Sequence, residues 1–340
     1  MLLRNHWYVA AQPAEVGRHP LGRRLCGDAV VLYRREDGSV VALQDQCPHR
    51  KYALSKGRVE GDEIRCLYHG LKFDGSGACT FIPGQDRIPP SLRARTYPTA
   101  EKHGWVWIWM GSADDAQEAD IPDFSLNVDP RWRAVYGYLR IESDYRLILD
   151  NFLDLTHVGY VHVGTIGNAP VSAAPMEVFP SADRVRFTRL IADVPPPPTF
   201  VKAVGFSTNI DRSQDATFLP PANFLNDIRA VPAGTNDDAR GLRFVVNNTL
   251  TPETERSTHY HFAAVRWNLI SDDMAENEAI RQRISQLRRF AFADQDAPII
   301  EMQQRRIDAS REPLRPMLLS VDVGAVRCQR VLKQLLENDR

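Results

Sequence analysis

Between Cys47 and His69 the chain reads CPHRKYALSKGRVEGDEIRCLYH, which sets two cysteines and two histidines in tight pairs, Cys47/His49 and Cys66/His69. A gap of one or two residues lets neighbouring side chains converge on one metal site. A zinc finger pairs cysteine with cysteine and histidine with histidine. Here each loop offers one thiolate and one imidazole, which suits a [2Fe-2S] centre with two cysteines on one iron and two histidines on the other. A structural zinc site, or four unconnected core residues, is the plainer alternative. A second set of candidate ligands lies in DNFLDLTHVGYVH, residues 150–162, with Asn151, Asp154, His157 and His162. On a regular helix two histidines five apart point about 140° away from each other. Gly159 between them predicts a loosening or break that brings both imidazoles to one side. Asp154 lies one turn before His157, on the same face. Two histidines plus a carboxylate from elsewhere form the facial triad of non-haem Fe(II) oxygenases, which leaves positions open for oxygen. Taken alone, the stretch also reads as a capped helix with two structural histidines. Beside a one-electron carrier, the iron reading makes chemical sense.

The elements that must position these groups fall into two textures. AVVLYRREDGSVVAL (29–43) and EIRCLYHGLKFDGSGACTFI (63–82) read as β-hairpins turning at EDGS and DGSG, and GWVWIWMG (104–111) as an aromatic strand. The acidic stretch SADDAQEADIP (112–122) reads as a linker. Beyond it, RGLRFVVNNTL (240–250) and STHYHFAAVRWNL (257–269) read as strands, and PPPP (195–198) as an irregular loop. The spacing predicts a long helix over 271–296, capped by Ser271 or Asp272, with Ile280, Ile284 and Leu287 on one face. A second amphipathic helix follows over 320–338. The expected fold class is α+β: an all-β domain over 1–115 and a domain with an antiparallel sheet and helices over 116–340. Cys26, Cys79 and Cys328 read as packing residues, and His6, His19 and His103 as ordinary surface or half-buried histidines.

Composition excludes several function classes. The chain has 340 residues, 43% hydrophobic and 25% charged, with a net charge of −1. No global basic field invites nucleic acid. No apolar run reaches membrane-spanning length, and MLLRNHWYVA lacks the features of a signal peptide. The expected compartment is the cytoplasm, where stable disulfides are rare.

Around the first ligand set, CPHR and YHGLKFDGSGAC resemble the Rieske [2Fe-2S] domain of ring-hydroxylating oxygenases. The second set resembles the Asn-x-x-Asp-x-x-His-x4-His motif of the same family. The resemblance extends through LRNHWYVAA, IPGQDRIPP, TPETERSTHYHF and RPMLLSVDVGAVRCQRVLKQLL to nearly the whole chain. It is with the short Rieske non-haem iron oxygenases of the vanillate and dicamba O-demethylase and toluenesulfonate methyl-monooxygenase type. It implies a helix-grip catalytic domain, a mononuclear non-haem Fe(II) besides the cluster, and a homotrimer. It also implies that Cys47, His49, Cys66 and His69 hold the cluster and that His157 and His162 hold the iron. The third iron ligand is by resemblance an aspartate shortly before an I-I-E segment. In FADQDAPIIEMQQRR, counting five back from Glu301 selects Asp296, with Asp294 as the fallback because Pro298 disturbs the register. Asp154 matches the aspartate that links the iron site to a cluster histidine, His69 of the neighbouring subunit. Asn151 matches a position near the iron, or else makes a buried helix hydrogen bond.

The family's activity is an expectation for this chain: a terminal oxygenase that uses O2 to O-demethylate or methyl-hydroxylate a one-ring aromatic acid. Electrons would come from a separate flavin and iron-sulfur reductase, since the chain has no glycine-rich dinucleotide motif after a strand. Asn223, Arg243, Asn248 and Leu287 are the candidate substrate contacts. Asn248 and Leu287 align where the dicamba enzyme offers a histidine and a tryptophan, so the pocket differs from that enzyme's. Arg243 also reads as a solvated strand residue. A ring-hydroxylating dioxygenase, or an electron carrier with a metal-free binding domain, is the competing reading.

Overall fold

The computed structural model describes residues 2–267, 270, 273–311 and 317–338. The chain divides into two compact units, residues up to Asp123 with Thr251–Glu255, and Phe124–Leu250 with Arg256–Asn338.

The first unit is all β. Trp105–Trp109, buried along its whole length, is the middle strand of a three-stranded sheet between Trp7–Ala11 and Thr99–Lys102. Asp28–Arg34 and Val40–Gln44 form the expected hairpin, with Gly38 at φ 86° closing the turn. Three short strands, Glu63–Arg65, Lys72–Phe73 and Cys79–Phe81, form the second expected pattern, joined by Arg58–Glu60 at one edge. Between these sheets lies a core that includes Tyr33, Leu43, Leu54, Ile64 and Phe73, and Cys47 and Cys66 belong to it. Burying side chains such as Leu54, Ile64 and Phe73 contributes roughly 1.5–3 kcal/mol each. The candidate ligand loops are therefore anchored by the same core that stabilises the unit.

The second unit is built on a seven-stranded sheet. Its order is Arg133–Ile141, Ser257–Arg266, Leu242–Thr254, Asn223–Pro232, Ile210–Leu219, Val185–Val194, Glu177–Pro180. From Glu177 through Thr249 successive strands pair antiparallel, as do Arg133–Ile141 and Ser257–Arg266. The mixture is the α+β class expected from the sequence. The C-terminal helix Val323–Asn338 packs against Glu177–Pro180, Val185–Val194 and the helix Tyr145–Leu153, burying Ala325, Cys328, Val331 and Leu332, and Gly324 admits Phe187, where any side chain would collide with the ring. No helix among the described residues is long and apolar enough to cross a membrane.

Two expectations about helices need correction. The helix expected over 271–296 starts at Met274, and Asp273 caps it by accepting the Ala275 N–H at 2.7 Å. Ser271 and Asp272, the expected caps, lie outside the described residues. The helical path also does not stop at 296. It widens into a π-helical turn over Phe290–Asp296 and continues as Ala297–Ala309, with Pro298 in the first turn, where its missing N–H costs nothing. The second correction concerns Gly159. The break before the two histidines falls at Asp154, whose backbone is extended (φ −104°, ψ 102°). Gly159 sits inside the short helix Val158–Val161 because a Cβ there would lie 2.3 Å from Ser172 Oγ.

Candidate functional site

In the first unit the two ligand loops share one backbone plan. The Cys47 N–H donates to Tyr52 O and the Lys51 N–H to Cys47 O; the Cys66 N–H donates to Leu71 O and the Gly70 N–H to Cys66 O. The fourth residue after each cysteine, Lys51 (φ 58°) and Gly70 (φ 75°), takes the left-handed conformation that closes the turn. The plan puts both cysteines inside, 2% and 1% exposed, and leaves His49 and His69 at the surface with ring centroids 4.5 Å apart. A single zinc ion asks for four ligands at one point. Sulfur at depth and imidazole at the tip fits a cluster whose two irons sit at different depths. Burial pushes the Cys47 thiol up to about 11, against backbone N–H groups of His49 and Arg50 that favour the thiolate, with Cys66 as its neighbour. Metal binding deprotonates such a thiol outright. Arg65 braces the second loop: its guanidinium donates to Gly70 O at 2.8 Å and pairs with Glu60 at 2.9 Å.

In the second unit, Asp144 caps the helix Tyr145–Leu153 by accepting the Arg146 N–H. At its other end Asp154 caps a single 3₁₀ turn, its carboxylate accepting the Thr156 N–H at 2.8 Å and the Thr156 hydroxyl at 2.6 Å. His157 and His162 then occupy the two ends of the Val158–Val161 turn, so their side chains leave it at different heights and the rings meet, centroids 5.4 Å apart. Asp296 enters from the π turn, with its carboxylate oxygens 3.6 Å from His157 Nε2 and 3.2 Å from His162 Nε2. The helix behind it is pinned to the segment before Tyr145: Glu301 accepts the Glu142 N–H and Gln304 the Asp144 N–H.

Both imidazoles are held by their other nitrogen. His157 Nδ1 lies 2.5 Å from Asp154 O and His162 Nδ1 2.9 Å from Gln295 Oε1, while Gln295 Nε2 donates to Val161 O at 2.9 Å. An N–H at Nδ1 leaves each Nε2 lone pair facing the carboxylate, the tautomer a metal requires. His162 is buried, which lowers its pKa, but hydrogen bonds to Asp296 and Gln295 outweigh burial and the net shift is upward. A cation at this point would replace that proton. His157, His162 and Asp296 could thus hold one ion, their ligand atoms lying within 4.8 Å of one another. Asp294, the fallback, is exposed. The half-buried Asn151 amide donates to Asp296 Oδ1 at 3.4 Å, which places it beside the candidate ligand group.

A cavity of about 200 Å³ adjoins these segments, walled by Leu155 and Val158 on either side of His157 in sequence and by Leu287, Arg288 and Ala291 on the helix leading to Asp296. Ile284 also lines it, so the face expected to carry Ile280, Ile284 and Leu287 supplies two of its members, both half-buried, to the cavity wall. Of the four substrate candidates, Leu287 lines this cavity and the other three do not. Asn248 is buried behind it, donating to Phe224 O and accepting from the Tyr260 hydroxyl, which in turn accepts from Arg288. Asn223 is buried in its strand, and Arg243 pairs with Asp227 at 2.7 Å with its guanidinium 5.5 Å from the Trp132 ring. Sequence reasoning passed over Gln295 and the polar cavity residues Arg212 and Gln214. Their signal was present: in IDRSQDATFL the strand period sets Arg212 and Gln214 on the face of Ile210, Ala216 and Phe218, which is the buried one.

Comparison with known proteins agrees with this geometry. Residues 6–98 match the Rieske [2Fe-2S] domain and residues 141–338 the vanillate O-demethylase oxygenase C-terminal domain. The toluene-4-sulfonate monooxygenase system iron-sulfur subunit of Comamonas testosteroni is 37% identical, over 99% of this chain and 98% of its own. The oxygenase component of dicamba O-demethylase from Stenotrophomonas maltophilia is 35% identical, over 98% and 97%. A crystal structure of dicamba monooxygenase bound to 3,6-dichlorosalicylic acid superposes with a TM-score of 0.92 at 34% identity, covering 100% of this chain and 99% of that one. The cofactors follow from the domains and the ligand group: a Rieske [2Fe-2S] cluster and a mononuclear non-haem iron. Such oxygenase components act on aromatic substrates with O2 and electrons from a separate reductase. The chain belongs to the Rieske non-haem iron oxygenases, as the oxygenase component of a monooxygenase system.

Proposed function

We propose that this oxygenase O-demethylates or methyl-hydroxylates a one-ring aromatic acid, and that the observation carrying the reading is the convergence of His157, His162 and Asp296 beside a cavity of one-ring size. A dry cavity of roughly 150 Å³ accepts benzene, so about 200 Å³ accommodates one ring with small substituents. Cys47, His49, Cys66 and His69 hold the cluster, and His157, His162 and Asp296 the iron. When bound, the cluster supplies single electrons and the iron supplies O2 activation and transfer of one oxygen atom to the substrate. The chain's own part is positioning. Asp154 O and Gln295 Oε1 keep the protons of the two imidazoles at Nδ1, Asn151 orients the Asp296 carboxylate, and the apolar wall of Leu155, Val158 and Leu287 excludes bulk water. Hydroxylation of a methoxy carbon gives a hemiacetal that releases formaldehyde; hydroxylation of an aryl methyl gives a benzylic alcohol.

We take residues 1–115 as the electron-transfer domain and 116–340 as the catalytic domain; both matched stretches fall inside these bounds. We further propose a cytoplasmic homotrimer, fed by a flavin and iron-sulfur reductase, in which electrons cross from the cluster of one subunit to the iron of its neighbour through His69 and Asp154. Exposed apolar side chains beside the candidate ligands, Leu67 and Tyr68 next to His69 and Tyr160 and Val163 next to His162, support burial in an assembly.

The test is a single turnover. The iron-loaded protein, reduced without air, is given O2 and methoxy- or methyl-substituted benzoates and arenesulfonates, and products are identified by mass. Formaldehyde with a matching phenol, or a benzylic alcohol, is expected. A cis-diol would move the protein to the ring dioxygenases. In His157→Ala the iron content should fall by the one mononuclear ion while the cluster spectrum stays; an unchanged iron content would favour the electron-carrier reading.

A further inference from the structure

The cavity contains a cation without a counter-charge. Arg212, on the sheet strand Ile210–Leu219, is 4% exposed and lines the cavity wall. Its Nη1 donates to Ile166 O at 3.3 Å, its guanidinium lies 5.1 Å from the Phe200 ring centroid, and its Nε has no partner. Among the described residues no carboxylate lies within ion-pair distance of it. The one charged group that acts on it is Arg189, another buried cation, diagonal to it across the strand pair Val185–Val194 and Ile210–Leu219. Burial and that neighbour lower its pKa to about 10, so it remains charged at neutral pH.

Isolated buried charges are strongly unfavourable unless something compensates them. The remaining polar groups of the wall do not. Gln214 Oε1 and Arg288 Nε are also buried without partners, while Gln214 Nε2 is held by Asn226 and the Arg288 guanidinium by the Tyr260 hydroxyl. Thr199, Asn226 and Arg266 also line the wall, and the rest of the lining is apolar: Val158, Phe200, Ile228, Phe244 and Leu287 among others. Of the guanidinium groups on this wall, that of Arg288 is engaged by the Tyr260 hydroxyl, whereas that of Arg212 has only the Ile166 carbonyl at 3.3 Å. A largely apolar slot with a cation so weakly engaged complements an aromatic ring carrying one negative group.

We propose that Arg212 is the specificity-determining residue of the cavity, pairing its guanidinium with the carboxylate or sulfonate of the aromatic substrate. This rests on the cavity being the substrate site of the oxygenase proposed above. A guanidinium fork matches either oxyanion with two parallel N–H···O bonds. With the acid fixed on the sheet, the opposite end of the ring is directed away from it, so Arg212 decides which substituent is presented for oxidation.

Binding of inert probes to the holoprotein tests this without turnover. Benzoate and benzenesulfonate are titrated by calorimetry against their neutral counterparts benzamide and methyl phenyl sulfone. The wild type should prefer the anions. Arg212→Met should weaken both anions by about thirtyfold or more, since one partner of a desolvated charge pair is removed, and change the neutral probes by less than roughly threefold. The stronger of the two anions identifies carboxylate or sulfonate as the natural group. Cluster absorbance and iron content verify that the variant is folded, and Arg212→Gln is read by the same thresholds if Arg212→Met does not fold. Anion affinity retained in the variant, or a wild type that binds neutral probes as tightly as anions, overturns the assignment. If the anions bind through Arg212 but no substituted benzoate or arenesulfonate is oxygenated, the assignment stands and the proposed reaction falls. If neutral methoxyarenes are oxygenated while the anions do not bind, the reverse holds.

Discussion

At the scale of single residues, the iron site depends on groups that never touch a metal. His162 has an exchangeable proton and two nitrogens; Gln295 decides which nitrogen carries it, and the Val161 carbonyl decides how Gln295 is turned. Gln295→Leu keeps the bulk and removes the acceptor. Loss of such an outer hydrogen bond costs 10- to 100-fold in metal affinity in comparable sites, so this variant should lose its mononuclear iron to a chelator at about tenfold lower concentration or less. The cluster spectrum should be unaltered. Retention of iron equal to the wild type would show that Asp296 and His157 alone set the affinity. Arg212 is the opposite case, a buried cation with an unpartnered Nε for which the proposed substrate anion would supply the missing partner.

At the scale of elements, strain and burial are distributed unevenly between equivalent parts. The two ligand loops have the same hydrogen-bond plan, yet one closes on glycine and the other on Lys51. The left-handed conformation costs an L-residue roughly 1–2 kcal/mol. Gly70→Ala therefore adds that strain and pushes a Cβ to 3.1 Å from Pro83 Cγ; cluster loss on heating, followed by visible absorbance, should occur several degrees lower. Lys51→Gly should move the same transition up. On the catalytic side, Asp150 joins the helix Tyr145–Leu153 to the C-terminal helix by accepting from Gln329 Nε2 at 3.3 Å. Burial raises its pKa to about 6, against the hydrogen bond from Gln329. In the unfolded chain it titrates near 3.9. Its contribution to stability is thus full below about pH 4 and is lost as pH rises through about 6. Asp150→Asn keeps the acceptor and removes the charge. Its melting temperature should exceed the wild type's at pH 8 and approach it at pH 4; a constant difference across that range would rule out this titration.

At the scale of the whole molecule, the proposed trimer makes a prediction no single chain can satisfy. On the proposed ligand assignment, a chain with His157→Ala should lack the iron, and a chain with Cys66→Ser the cluster. If electrons cross between subunits, mixed assemblies of the two should recover part of the activity that each has lost. If each subunit works alone, the mixture stays inactive.

Much of this was legible in the sequence because it is carried by local spacing. The mixed Cys-x-His and Cys-x-x-His pairs named their own chemistry, and the turns at EDGS and DGSG and the aromatic strand over Trp105–Trp109 announced the β unit around them. Counting back from Glu301 selected Asp296 over Asp294, and only the structure shows how the two differ: the π turn carries Asp296 inward beside His157 and His162 and leaves Asp294 in solvent. Gly159 shows the limit in the other direction. Its permissive backbone suggested a break, but a neighbouring helix, through Ser172, is what requires it. The cavity wall was the least legible. Asn223, Arg243 and Asn248 came from the stretches where the resembling demethylases hold their substrate, Asn248 by alignment with a histidine, but which face of a strand meets a cavity depends on packing between distant elements. Arg212 and Gln214 came to line it because the sheet turned their face towards the Met274–Arg289 helix. The paired Cys/His and His/His candidates are a property of local sequence; the approach of Asp296 to the histidines and the shape and charge of the space beside them are properties of tertiary structure, since they are made by side chains that meet only when the sheet and helices close around them.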